Sequence, residues 1–389
     1  MSNVEISNSI KYIGVDDTTI DLFESQYVVP NGVSYNSYII LDEKIAVMDT
    51  VDARKTDEWF ANLENALSGK EPTYLVISHL EPDHSANIKL FADKYKNAKL
   101  VLSNKAKAML PQFFDIDDLE NRCVAVAEGE ELNLGEHTLK FFMAPMVHWP
   151  EVMVEYETSE KVLFSADGFG KFGALSTDED WACEARRYYF NIVGKYGTPV
   201  QTLLKKASTL DIKTICPLHG PILKENLGYY IDKYMTWSSY KPEDEGVLVA
   251  CASIHGNTKK AAEKMVEILN QKGAKKVVFA DITRDDMAEA IEDAFRYSKL
   301  IVAASTYDGG VFPPMEDFLN RLSHKAYQNR TVGIIENSSW APMAAKTMTS
   351  ILSSMKNITI CENVVSIKST MKDVDVQKMN ELADEILNK

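Results

Sequence analysis

Short apolar runs bounded by polar turns fill the first half of the chain. "VSYNSYIIL" and "IAVMDT" flank "DEK" and read as a hairpin. "TYLVISH" follows an amphipathic stretch, "KTDEWFANLENALSG", and reads as a strand after a helix. "KLVLS", "HTLKFFMAP", "VMVEYET" and "KVLFSADGF" supply further strands, and "DEDWACEARRYYFNIVGKYGTPVQTLLKKAS" reads as a long helical segment. Mixed strands and helices predict layered sheets covered by helices. Around "YKPEDEG", residues 240–246, proline, glycine and charge cluster. This places a boundary between a first domain, 1–245, and a second, 246–389. Beyond it "VLVACAS", "KKVVFADI", "KLIVAAS", "TVGIIEN" and "ITICENVVSIK" are buried-looking strands, each followed by a helix-length segment. Five such units predict an open, doubly wound parallel sheet with helices on both faces.

The 389 residues are 45% hydrophobic and 25% charged, so a sizeable core can be buried. The net charge of −15 argues against sequence-independent binding to nucleic acid or anionic membrane, which rewards lysine and arginine. Five scattered cysteines without a C-x-x-C pair argue against a rubredoxin-like or zinc-ribbon module, and suggest reduced thiols in the cytoplasm. The opening "MSNVEISNSIKYIG" lacks the basic and apolar regions of a signal peptide. No apolar run is long enough to predict a membrane span.

"SHLEPDHSAN" sets His79, Glu81, Asp83 and His84 in the loop after "TYLVI". A solvated turn has no need of two histidines beside two acids. Candidate partners stand at the ends of later strands: His148 in "APMVHWPEVM", Asp167 in "LFSADGFG" and His219 in "ICPLHGPI". Each has an ordinary explanation taken alone, as a packed histidine or a turn former. Together, four of the seven histidines fall at strand ends, whereas His137, His255 and His324 lie in polar surroundings and read as non-ligands. Seven donors exceed the four that one tetrahedral zinc takes, and suit two metals sharing a carboxylate, for which Asp167 is the natural candidate.

The loop resembles the H-x-H-x-D-H signature of metallo-β-lactamase-like folds, with Glu81 at the middle histidine. That variant is similar to the diiron domain of the flavodiiron proteins, as are "SADGFGKFGAL" and "LHGPI". An anionic oxygen donor favours harder iron over zinc. The resemblance spans essentially the whole chain. It implies an N-terminal metallo-β-lactamase-like αββα sandwich joined to a C-terminal flavodoxin-like domain. It also implies one iron on His79, Glu81 and His148, another on Asp83, His84 and His219, and Asp167 as the bridge. The family varies in whether the histidine at the place of His84 binds metal directly.

In the second domain, "ASIHGNTKKAAEKM" puts Ser253, Ile254, His255, Gly256, Asn257 and Thr258 between a strand and a helix, where amides and hydroxyls can cradle a phosphate. No Walker lysine follows, and no G-x-G-x-x-G is present, so neither a nucleoside triphosphate nor a dinucleotide is indicated. Ser305, Thr306, Tyr307, Asp308, Gly309 and Gly310 follow the third strand, and Asn337, Ser338, Ser339, Trp340 and Ala341 the fourth. Both loops lie where open α/β sheets bind ligands. Tyr307 and Trp340 are placed to flank a ring; packing in a core is their ordinary alternative. The loops resemble flavodoxin, which implies FMN as cofactor.

A diiron centre with FMN implies a reductase that converts O2 to water, NO to N2O, or both. The family implies an external donor such as rubredoxin, and a head-to-tail homodimer. Two other classes compete: a zinc hydrolase of the lactamase fold fused to an electron-transfer flavodoxin, and a pure electron carrier with a vestigial first domain. The complete ligand set speaks against the carrier.

Overall fold

The computed structural model describes residues 6–389. Residues 1–5, part of the stretch read as lacking a leader, lie outside them. The chain forms two compact units, one of residues up to Tyr189 with 198–235, the other of 190–197 with 236–389. Among the described residues no helix is long and apolar enough to cross a membrane.

The first unit stacks two sheets. One has the spatial order Ile10–Tyr12, Tyr38–Ile40, Ala46–Met48, Tyr74–Ile77, Lys99–Ser103, Cys123–Val126. The other runs Glu131–Asn133, Thr138–Met143, Met153–Glu157, Val162–Phe164, Thr214–Cys216. Between them Tyr38, Met48, Val76 and Val101 pack with Phe141, Met153, Phe164 and Cys216 in one buried core. Fully burying a large apolar side chain contributes about 1.5–3 kcal/mol, so this interface holds the layers together. The fold is the mixed α/β sandwich expected from the pattern.

One local reading changes, and another gains detail. "VSYNSYIIL" is two strands: Val33–Tyr35 pairs with Val15–Asp17, and only Tyr38–Ile40 forms the hairpin with Ala46–Met48. Asn36 breaks the run because its amide donates to the carbonyls of Pro217 and Gly220, both at 2.8 Å, instead of facing a neighbouring strand. The long segment is helical as expected but changes its winding: α-helix Trp181–Tyr188 passes through a π turn, Tyr189–Val193, and a 3-10 turn, Gly194–Tyr196, into α-helix Gly197–Ala207. The Tyr240 hydroxyl intercepts the backbone there, donating to Gly194 O (2.8 Å) and accepting from Gly197 N (3.1 Å). A Cβ on Gly197 would lie 2.3 Å from Ser238 O, so only glycine allows the approach.

The second unit is a parallel sheet in the order Val277–Asp281, Asp244–Ala252, Tyr297–Tyr307, Arg330–Ser338 and a fifth position. The fifth strand is split: Ile358–Ile360 pairs beside Arg330 to Val332, and Val365–Lys368 beside Ile335 to Ser338. Between the pieces, the amides of Glu362 and Asn363 donate to Glu385 (2.7 and 2.9 Å) and leave the ladder. Helix Asn257–Gln271 and helix Asp373–Asn388 bury Met265, Ile268, Met379 and Leu382 in the core over this sheet.

Arg122 in the first unit shows how tightly such a frame is tied. Its buried guanidinium donates to the carbonyls of Ala92 (2.7 Å), Tyr95 (2.9 Å) and Ala98 (2.9 Å), closing the end of helix Ile88–Lys94. Arg122→Ala leaves these acceptors without their donor and should destabilise the first unit by about 2–4 kcal/mol. Urea unfolding followed by circular dichroism measures this; a shift within error of zero would contradict it.

Candidate metal centre and cofactor cleft

His79, Glu81, Asp83 and His84 leave the strand Tyr74–Ile77 and enter a short helix, Pro82–Ser85. His148 comes from the loop after Thr138–Met143, Asp167 from the loop after Val162–Phe164, and His219 from the loop after Thr214–Cys216. Ala166, immediately before Asp167, holds φ 48°, a left-handed conformation that a side chain other than glycine rarely adopts and that clusters at functional sites. Gly220, at φ 77°, lets the chain turn after His219 while its amide donates to Ser34 Oγ (2.7 Å).

All seven side chains converge, in two groups. His79, Glu81, His148 and Asp167 present donor atoms within 4.8 Å of one another, and Asp83, His84 and His219 form a second such set. Asp167 faces both. Its Oδ2 lies 3.4 Å from His79 Nε2 and 3.2 Å from His148 Nε2, while Oδ1 lies 3.4 Å from His84 Nε2 and 3.8 Å from His219 Nε2. Among the described residues, neither oxygen of Asp83 or Asp167 has a hydrogen-bond donor, although both side chains are buried. Buried carboxylate oxygens without partners are costly unless a cation is bound. The donor set therefore fits two hard metal ions.

Other groups fix the imidazoles. His219 Nδ1 donates to Ser34 O at 2.7 Å, which leaves Nε2 bare and aimed inward. His79 Nδ1 lies 2.9 Å from Glu151 Oε1, which also accepts from Leu80 N at 3.0 Å. Phe23, Tyr188 and Tyr35 pack their rings against His219 at 5.4, 5.5 and 6.0 Å and give the second group an apolar wall.

Electrostatics follow from this crowding. Burial disfavours a charged His79, but hydrogen bonds to Glu151 and Glu81 outweigh it and hold its proton well above the usual range. Burial likewise opposes charge on His148, and Asp167 and Glu81 still push it up to about 9. At His84 burial is again overcome, here by Asp83 and Asp167. Asp167 moves the other way: burial favours the neutral form, yet His148 and His84 hold it well below the ordinary carboxylate range. The carboxylates thus draw positive charge into the site, as protons when no metal is bound.

The second unit carries a cleft of about 680 Å³ at the carboxyl ends of its strands. Ser253, Ile254, His255, Asn257 and Thr258 line it on one side; Ser305, Thr306, Tyr307, Asp308 and Gly309 line another. Asn337, Ser338, Ser339, Trp340 and Ala341 complete the expected wall. Gly256 and Gly310 shape the loops rather than line the cleft. Gly256 has φ 89° and donates to Ser253 Oγ at 3.1 Å; Gly310 pairs with Tyr307 across a tight turn whose central residues, Asp308 and Gly309, are both left-handed. Thr258 and Ser305 join hydroxyls at 2.8 Å. Trp340 is 81% and Tyr307 44% exposed, a large aromatic surface left open for a planar ligand.

Residues 33–220 match the family model described as "ODP family beta lactamase". An uncharacterized protein of Methanocaldococcus jannaschii is 31% identical, over 81% of this chain and 80% of its own length. The nitric oxide reductase of Moorella thermoacetica is 26% identical, over 98% of each. Among solved structures, the rubredoxin oxygen:oxidoreductase of Desulfovibrio gigas superposes with a TM-score of 0.92 at 26% identity, covering 99% of this chain and 97% of that one. A flavo di-iron protein variant from Thermotoga maritima gives 0.88 at 26%, covering 97% and 95%. The chain belongs to the flavodiiron proteins.

Within this flavodiiron chain, sequence reasoning missed three residues at its sites. Glu151 stands three places after His148 in "HWPE"; an acid so near a candidate ligand is a signal for a partner that orients an imidazole. Met343 and Ser369 also line the cleft. Ser369 follows the fifth strand, so the rule that selected the other loops also reaches it. His137, read as a non-ligand, is buried with Nδ1 3.0 Å from Glu157.

The raised histidines predict how metal uptake responds to pH. Below about 9 a metal ion must displace the proton that Asp167 and Glu81 hold on His148. Anaerobic titration of the metal-free protein with Fe(II) should release protons, and apparent affinity should strengthen as pH rises toward 9. Calorimetry in buffers of different ionisation enthalpy measures the release; affinity independent of pH would contradict it.

Proposed function

We propose that this chain is a flavodiiron reductase that converts O2 to water, NO to N2O, or both, with electrons from an external donor. Residues 1–245 serve as its diiron domain and 246–389 as its FMN domain. The observation that carries the reading is Asp167, whose two oxygens face two separate histidine groups. On this reading His79, Glu81 and His148 hold one iron, Asp83, His84 and His219 the other, and Asp167 spans both. The loop from Ser253 to Thr258 takes the FMN phosphate at the start of helix Asn257–Gln271, and Tyr307 and Trp340 flank the flavin ring.

When bound, two ferrous ions and reduced FMN would supply four electrons, enough to reduce O2 to two waters, and two of these would suffice to join two NO as N2O and water. The chain's own residues set the conditions. Glu81, Asp83 and Asp167 match most of the charge of two divalent ions. Glu151 and the Ser34 carbonyl lock His79 and His219 in the tautomer that leaves Nε2 for metal. Phe23, Tyr35 and Tyr188 keep bulk water from the second group.

The relatives named for oxygen and for nitric oxide support both substrates. The name rubredoxin oxygen:oxidoreductase supports a rubredoxin-type donor. Free thiols at Cys123, Cys216, Cys251 and Cys361 suit a reducing, cytoplasmic setting. Glu81 and the relatives do not favour the zinc hydrolase reading.

Metal analysis with anaerobic O2 and NO turnover tests the function: about two irons and one FMN per chain with gas reduction are expected, and zinc with hydrolysis would overturn it. Glu81→His should shift uptake toward zinc and abolish gas reduction while the flavin spectrum persists. Unchanged iron content and turnover would remove Glu81 from its role.

A head-to-tail homodimer would place each flavin domain against the partner's metal domain, and two-fold symmetry would make two such pairs at once. Mixed dimers test this. One subunit carries changes at Thr258 and Trp340 that remove flavin; the other carries His79→Ala and Asp167→Ala. Each parent should be inactive, and the mixture should recover up to half of wild-type turnover per dimer. Mixed dimers that form but stay inactive would exclude the arrangement.

A further inference from the structure

Behind His79 lies a second buried acid pair that the reaction chemistry above does not use. Asp49, Ser78 and Glu155 are 2%, 1% and 0% exposed. Ser78 is the residue before His79, and its amide donates to Asp49 Oδ1 at 2.8 Å. Its hydroxyl oxygen lies 2.6 Å from Asp49 Oδ2 and 3.0 Å from Glu155 Oε2. Asp49 follows Ala46–Met48 in one sheet, and Glu155 belongs to Met153–Glu157 in the other, so the contact joins the two layers.

Counting protons constrains this contact. A serine hydroxyl carries one hydrogen and can donate to one oxygen at full strength. The shorter distance, with the amide bond beside it, assigns that hydrogen to Asp49. Glu155 then sits 3.0 Å from an oxygen that has no proton left to give it. An ionised carboxylate oxygen facing a hydroxyl lone pair at that separation is repelled, and burial magnifies the cost. Glu155 Oε1 has no hydrogen-bond partner among the described residues, which a neutral carbonyl tolerates far better than an anion. In its own sheet Glu155 stands between Phe141 and Phe164. Asp49 is the charged group that acts on it, and His84 and His79 act in turn on Asp49.

We propose that Glu155 is a protonated carboxylic acid in the working protein. It donates to Ser78 Oγ, which donates to Asp49, and this directed chain positions the segment that presents His79 to metal. The proposal rests on the reading of His79 as a ligand for its consequence, and on the hydrogen-bond count for the proton itself. Burial and Asp49 push the Glu155 carboxyl well above the ordinary range, in agreement. A raised carboxyl in the folded state is protonated where the unfolded chain has released its proton. Above the unfolded value of about 4.3, folding therefore takes up one proton, and stability falls as pH rises.

Infrared difference spectroscopy of the iron- and FMN-loaded protein tests this. Wild type minus Glu155→Gln, at neutral pH, should show the C=O stretch of a protonated carboxyl, moving to lower frequency in D2O. Glutamine can also donate to Ser78 Oγ, so iron content and the electron paramagnetic resonance of the mixed-valent centre should be kept. Glu155→Val, which cannot donate, should alter that resonance. Denaturation of the metal-free forms gives an independent readout: relative to Glu155→Gln, the wild-type unfolding constant should rise about tenfold per pH unit above about pH 5. A difference spectrum showing only lost carboxylate stretches would overturn the proposal. So would a C=O band that survives Glu155→Gln and disappears in Asp49→Asn. If Asp49→Asn does not fold, Glu155→Gln decides alone. An unaltered resonance in Glu155→Val would remove the positioning role while leaving the metal assignment intact.

Discussion

Three carboxylates and four imidazoles converge where water is largely excluded, and the first unit is organised around the need to neutralise them. Asp83 and Asp167 are buried with no hydrogen bond to either oxygen from the described residues. Protons on His79, His84 and His148 can supply some of the missing positive charge, as their raised affinities indicate. Two metal ions would supply the rest, and Asp167 directs one oxygen to each histidine group that would hold them. The frame carries the cost: left-handed Ala166, the amide of Asn36 holding the His219 loop, and the core between the sheets.

A graded set of acids surrounds that centre. Glu81, Asp83 and Asp167 lie inside it. Glu151 stands one layer out and fixes an imidazole. Asp49 and Glu155 lie further back and meet over one serine hydroxyl. The outermost pair is buried and, among the described residues, has no cationic side chain between its members, so ionising both is costly. The same residue type thus meets a histidine cluster, a single imidazole or another acid according to its place in the fold.

The cleft of the second unit is built on different terms. Among the described residues its lining contains no lysine or arginine, and His255 and Asp308 are its only ionisable groups besides the Tyr307 phenol. Hydroxyls, amides and the start of a helix replace fixed charge there, and the exposed rings of Tyr307 and Trp340 offer stacking surface. Such a site suits a preformed planar cofactor with one anionic end.

Periodicity alone determined the alternation of strands and helices, the layered first unit and the parallel second one, because burial on one or both faces leaves a direct trace in hydrophobic spacing. The seven candidate donors were also legible, since histidines and acids at successive strand ends are conspicuous in sequence. Tertiary structure decided what depends on contacts between distant segments. The Tyr240 hydroxyl sits at a 3-10 turn where a helix pattern that looked uniform changes its winding, and Glu385 takes the amides that would have joined two pieces of the fifth strand. Glu151 meets His79 across 72 positions, and Glu155 meets Ser78 across 77. Sequence records which groups a chain carries. Only packing decides which pairs share a proton or a metal, because those energies depend on ångström separations and on the exclusion of water.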